Sequence, residues 1–186
     1  MKIFLFHCWG GDSRSCWSGS IADYFSSKGV EVIAPDFPDS SDPNLEAWLR
    51  RVRETVGKFE AKDNWILVSH SLGCPTILRL LESFKEDEGA KAIILVAGFA
   101  KDLGISQIKN FVESEFNWRK IKSKTEKVIV INSDNDPYIK VEEGKRMAKL
   151  LEGELIIEHN AGHINEGSGF SEYPRLIQLI EKIMEE

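Results

Sequence analysis

Cysteine is scarce in this chain, basic residues are outnumbered, and no apolar run is long. There are only three cysteines, at positions 8, 16 and 74, an odd number without the spacing of a metal site. They exclude a disulfide-stapled scaffold. They are expected as free thiols in a reducing cytoplasm, with no metal and no cofactor. Cys74 reads as a small packing residue rather than a second nucleophile. Lys and Arg total 24 against 30 Asp and Glu, a net charge of −6, which argues against a polyanion-binding surface and so against a nucleic-acid partner. No apolar stretch approaches the roughly 20 residues needed to span a bilayer, so no membrane partner is expected. The N-terminal MKIFLFHCWGG reads as a strand and a loop, not as a signal peptide. The first strand–helix turn lacks Gly-x-Gly-x-x-Gly, which removes a dinucleotide-binding reading.

What is present is an ordinary globular composition, 42% hydrophobic and 29% charged, in a length that suits one domain over 1–186. Short apolar runs alternate with amphipathic stretches. Strands are expected at Lys2–Phe6, Val30–Ala34, Trp65–Ser69, Ala92–Ala97, Lys127–Asn132 and Glu154–Glu158. Helices are expected at about 16–27, Leu45–Phe59, after Ser71, at 105–114, Val141–Leu151 and Tyr173–Met184. Glu82–Gly89 reads as a charged, exposed helix end. The strands are continuous apolar runs, as in strands buried on both faces. The expected class is therefore α/β, a single-domain, open, doubly wound, mostly parallel sheet of about six strands. The longest connection, 98–124, is the natural place for a small lid or a pocket wall.

The chain is organised around NWILVSHSLG, 64–73. A buried strand, a tight turn with a central serine and a helix are the context of a nucleophile elbow. Small residues are needed two places before and after the nucleophile, because backbone and helix approach closely there. Gly73 fills the second place. Ser69 stands in the first, where glycine is usual. The spacing makes Ser71 the nucleophile, not Ser69. An ordinary strand–turn–helix with a serine N-cap accounts for the pentapeptide alone about equally well.

Sheets of this type carry their sites beyond the carboxyl ends of the strands. The polar residues at those ends are His7, Cys8 and Trp9 after the first strand, His70 and Ser71 after the third, Asn132–Asp136 after the fifth, and His159–Asn165 after the last. They contain a serine, acids and histidines in the order Ser…Asp…His. Serine needs a base to take its proton, and the base needs a carboxylate to fix its tautomer. Acyl transfer also needs two backbone N–H donors for the oxyanion. One is expected at Leu72, after the nucleophile, and the other at Trp9 in the first loop.

At this point the chain resembles the α/β-hydrolase superfamily, and within it the small serine hydrolases of the YdeN family. The matching stretches are SHSLGC at 69–74, FNWRKI at 116–121, NSDNDPYI at 132–139 and AGHINEGSGFSEYP at 161–174, together with Trp48. The resemblance implies a minimal α/β-hydrolase fold without a large cap. It also implies Ser71 as nucleophile, Asp136 as the acid and His163 as the base. Asp134 is the rival acid and reads as a turn residue. His159 is the rival base and reads as strand-terminal. His70 is expected to point away from Ser71, and His7 to brace the first loop. Trp9 and Trp17 are candidates for an acyl pocket, although tryptophan is more often core. The expected activity is hydrolysis of small carboxylic esters or thioesters. The alternative is an interaction module on the same fold, with an unknown protein partner.

Overall fold

The computed structural model describes residues 1–186. Six strands, β1 (Lys2–Phe6), β2 (Glu31–Ile33), β3 (Trp65–His70), β4 (Ala90–Val96), β5 (Thr125–Ser133) and β6 (Glu154–Glu158), form one sheet in the order β2-β1-β3-β4-β5-β6. Every pairing is parallel. The expected doubly wound architecture is what the chain adopts, and no large cap covers it. The six α-helices are α1 (Ser18–Ser27), α2 (Leu45–Val56), α3 (Gly73–Ser83), α4 (Trp118–Lys122), α5 (Val141–Leu151) and α6 (Pro174–Glu185).

Period-two alternation splits the strand side chains between two cores. Ile3, Leu5, Ile66, Val68, Ile94 and Ile131 face α1 and α6, where Trp17, Phe25, Leu176 and Ile180 close over them. Phe4, Phe6, Leu67, Ile93, Leu95 and Val130 face the other way, onto α2, α3 and α5. Trp17 belongs to the first core, with its indole N–H donated to the Ile164 carbonyl at 3.1 Å, so it lines no acyl pocket. No helix is long and apolar enough to cross a membrane.

Several boundaries differ from the sequence reading. The helix expected to reach Phe59 stops at Val56, because Gly57 turns out at φ +75° and sends Phe59 into the core. The helix expected at 105–114 is a 3₁₀ segment, Ser106–Phe111, that presents Ile108 and Phe111 inward. The stretch 82–89 is not an exposed helix end. α3 finishes at Ser83, and Glu88 is buried, paired with Arg53 and accepting the Lys85 and Phe59 amides at 2.9 and 3.3 Å. Glu88 reads as a surface charge only until the fold brings Arg53 from another helix.

The order of strands fixes where a site can form. The chain runs outward from β1 to β2, then crosses back past β1 to β3, so the connections leaving β1 and β3 diverge to opposite faces. The crevice between their carboxyl ends is the switch point of the sheet. Residues 7–11 and 70–73 lie there.

Candidate active site

The elbow is held by strain and close packing. Ser71 has φ +52°, a left-handed conformation rare for a residue with a Cβ, and its N–H is held by the Val96 carbonyl at 2.9 Å. A Cβ at Gly73 would lie 2.6 Å from the Phe6 carbonyl oxygen and 2.9 Å from Phe6 Cβ, so the start of α3 can approach β1 only without a side chain. Ser69 fits where glycine is usual because its hydroxyl is satisfied, donating to the Ile94 carbonyl at 3.3 Å. Cys74 is fully buried and packs against Gly98, as a filler. Gly73→Ala should therefore overpack a backbone contact that cannot give. The expected cost is about 1–3 kcal/mol, read as a fall in Tm of about 2–4 °C for each kcal/mol in a chain of this size. An unchanged melting curve would mean that the elbow has slack.

Three side chains meet above the elbow. His163 Nε2 lies 3.0 Å from Ser71 Oγ, and its Nδ1 lies 2.7 Å from Asp136 Oδ2. A carboxylate can only accept, so Nδ1 carries the proton and Nε2 is left to accept from the serine hydroxyl. The Asp136 side chain is fully buried, and its Oδ1 accepts the Tyr138 and Ile139 amides at 2.8 and 3.0 Å. The carboxylate is thus fixed by backbone before it meets the histidine.

The His163 loop is clamped from several sides, by Ser168, which the sequence reading did not single out, and by His70, Ser133 and Asn135, to which it gave no such role. His163 donates its own N–H to Ser168 Oγ at 3.2 Å, and its carbonyl accepts from His70 Nε2 at 2.9 Å. Asn135 Oδ1 accepts the Gly162 amide at 2.8 Å, and Ser133 Oγ accepts the Ala161 amide at 3.1 Å. Gly162 sits at φ +54° with Ser168 Oγ 2.3 Å from where a Cβ would stand. The rivals form a separate, solvent-facing pair: His159 Nδ1 is 2.6 Å from Asp134 Oδ2, with the His159 side chain 78% exposed. The Asn160 amide and then His159 hold the Asp134 carboxyl below its ordinary range.

The first loop is braced as the sequence suggested. The Phe37 amide donates to His7 Nε2 at 2.9 Å, so Nδ1 carries the ring proton and donates to the Cys8 carbonyl at 2.8 Å. Burial lowers the His7 pKa, consistent with a neutral ring in that role. Gly10 N–H and the Trp9 indole reach the Ser40 and Ser41 carbonyls at 2.7 and 2.9 Å. The main-chain N–H groups of Trp9 and Leu72 have no acceptor within the chain, and both residues border the same cavity as Ser71.

That cavity has a volume of about 340 Å³. Phe99, Leu103, Ile105, Ile108 and Ile139 give it an apolar wall, so the connection after β4 serves as a pocket wall. A larger groove of about 600 Å³ between α2 and the turn after α3 holds Arg50, Arg53 and Glu88 but no nucleophile–base pair.

A family model described as serine hydrolase matches residues 3–182. The chain belongs to the serine hydrolase family. It is 30% identical to YdeN of Bacillus subtilis (strain 168) over 182 residues, covering 96% of this chain and 94% of YdeN. The crystal structure of the Bacillus subtilis ydeN gene product superposes with a TM-score of 0.91 at 28% identity, over 100% of this chain and 99% of the other. A YdeN-like protein of Pectobacterium atrosepticum SCRI1043, 18% identical, shares the fold with a TM-score of 0.74 over 99% of this chain and 90% of its own. Hydrolysis is thus the reaction class of this family.

One cluster in this hydrolase has no counterpart in the sequence reading. The spacing of the cysteines shows no metal site, yet the fold brings Cys8 Sγ, Cys16 Sγ and a ring nitrogen of His70 within 4.8 Å of one another. The two thiols are unlike. The neighbouring Cys8 side chain pulls the Cys16 thiol down against burial. The Cys16 side chain, with burial, pushes the Cys8 thiol up.

Proposed function

We propose that this serine hydrolase cleaves small carboxylic esters or thioesters through an acyl-enzyme on Ser71. The observation that carries the reading is the hydrogen-bonded chain from Asp136 through His163 to Ser71 at the edge of an apolar cavity. In this reading Ser71 Oγ attacks the acyl carbon as His163 Nε2 takes its proton. The carbonyl electron pair moves to the oxygen, which the Leu72 and Trp9 amides receive. Collapse expels the alcohol or thiol, protonated by His163. Water, deprotonated by the same nitrogen, then releases the acid and restores Ser71. These side chains and water account for every proton and electron pair. Three free thiols fit a reducing, cytoplasmic setting.

A cavity of about 340 Å³ is at the small end of ligand sites, about 300–1,000 Å³. Its wall of Leu103, Ile105 and Ile108 supports an apolar acyl group. Ile105→Trp should turn selectivity toward short acyl chains by at least about tenfold, since single methylenes in such pockets count for that much. A series of esters of one alcohol and increasing acyl length reads this directly. An unshifted preference would place the acyl group elsewhere.

The histidines test the assignment of the base. Activity needs neutral His163, so kcat/KM should rise with pH and then level. His163→Ala should remove this limb with most of the activity. His159→Ala should keep both near wild type, because its ring faces solvent and pairs with Asp134. The reverse pattern would reassign the base. Labelling by a fluorophosphonate separates a hydrolase from a binding module, which would leave Ser71 unmodified.

A further inference from the structure

Cys8, Cys16 and His70 meet from three parts of the chain: the loop after β1, the turn before α1 and the last residue of β3. His70 is buried, and its Nε2 lies 2.9 Å from the His163 carbonyl. A carbonyl only accepts, so Nε2 carries the proton and Nδ1 presents a lone pair. That lone pair faces Cys16 Sγ at 3.8 Å. A histidine ligand oriented by donating its other nitrogen to a backbone carbonyl is the usual outer-shell arrangement of a metal site. All three donor atoms lie within 4.8 Å of one another. Around a tetrahedral zinc, with Zn–S of about 2.3 Å and Zn–N of about 2.0–2.1 Å, sulfurs sit about 3.8 Å apart and sulfur and nitrogen about 3.5 Å apart. Small side-chain rotations close that difference.

We propose that Cys8, Cys16 and His70 form a binding site for one soft divalent cation of the zinc type, beside the Ser71 elbow. Two thiolates and an imidazole select such an ion over magnesium or calcium. On binding, any proton still held by either sulfur passes to solvent and two metal–thiolate bonds form, with a third bond to His70 Nδ1. The dication and two thiolates sum to zero charge, so no net charge is buried. Three protein donors leave a fourth position open, as in zinc sites that are not purely structural. Cys8 and His70 also border the cavity of Ser71 and His163, so that position faces the substrate space. Occupancy therefore obstructs the cavity and ties the Trp9 loop to the elbow. This consequence for turnover rests on the hydrolase reading, whereas the site does not.

Cobalt(II) is the probe. The reduced 186-residue protein, titrated with Co²⁺, should bind one equivalent. It should show thiolate-to-metal charge-transfer bands and intense tetrahedral d–d bands, both bleached by Zn²⁺. Cys16→Ala and Cys8→Ala should each lose the charge-transfer intensity while keeping the wild-type melting curve and circular dichroism. Zn²⁺ should slow ester hydrolysis by wild type to a saturating floor and leave Cys16→Ala unaffected. Absence of the bands in reduced wild type overturns the site, as does their persistence in both variants. So does a reduced protein that ignores Co²⁺ but forms a Cys8–Cys16 disulfide with a mild oxidant, since the pair would then be a redox couple. Inhibition by Zn²⁺ that survives in both cysteine variants would locate the metal at His163 and also count against the proposal. Bands present in a protein with no ester turnover at all would sink the hydrolase reading and leave the metal site standing.

Discussion

Ser71→Ala is expected to abolish ester hydrolysis, with a fall in kcat of about 10⁶-fold, and to end labelling by fluorophosphonates. A loss of that order is typical when a member of a cooperating nucleophile–base unit is removed. The physical argument rests on three features of the position. Ser71 holds a left-handed φ of +52°, and such strain persists only where the surroundings enforce it. Its hydroxyl is the only group within hydrogen-bond reach of His163 Nε2. It stands at the switch point of the sheet, between the unengaged amides of Trp9 and Leu72. Alanine keeps the Cβ and removes only the oxygen, so the fold should survive and the Tm should stay close to wild type. The residual rate should be that of the amide donors and the cavity alone. Wild-type turnover of an activated ester by the alanine variant would remove Ser71 from the mechanism.

The elbow was legible because its signals are local. An apolar run, small residues around one serine and an amphipathic stretch all fall within residues 64–81. The parallel sheet was legible from doubly apolar strands, and the sheet then limited the polar candidates to strand ends. What stayed hidden comes from residues far apart in sequence. Arg53 makes Glu88 a buried ion-pair partner across 35 positions, which no charge pattern reveals. The clamp on His163 uses Ser133 at the end of β5, Asn135 and Ser168, polar residues indistinguishable in sequence from solvated turn formers. Cys16 meets His70 across 54 positions, so spacing rules built for local ligand pairs could not find it. The Trp17 indole belongs to the core through the Ile164 carbonyl, a partner 147 positions away that no local pattern reveals.

The sharpest ambiguity in the sequence was between two acids two residues apart, and both have a histidine. Asp134 pairs with His159 at 2.6 Å and Asp136 with His163 at 2.7 Å, so distance alone does not separate them. Burial and direction do. The Asp136 carboxylate is fully shielded, receives two backbone amides on its other oxygen, and holds a ring whose far nitrogen reaches Ser71. The His159–Asp134 pair is open to water, where screening leaves such pairs worth little. Asp136→Asn should therefore lower kcat by about 10³–10⁴-fold, as loss of the tautomer-setting carboxylate does, a barrier increase of about 4–5.5 kcal/mol. The cause is specific. The asparagine oxygen can still take the Tyr138 and Ile139 amides, and its NH₂ then faces His163 Nδ1. The ring must accept there, so Nε2 carries the proton and can no longer receive the one from Ser71. KM should change little, because the carboxylate touches no substrate. Asp134→Asn should leave kcat close to wild type and at most loosen the turn that accepts the Asn160 amide at 2.9 Å. Steady-state kinetics of the two variants on one soluble ester decide the matter. Equal losses, or the larger loss at Asp134, would move the acid to the other pair and take the base assignment at His163 with it.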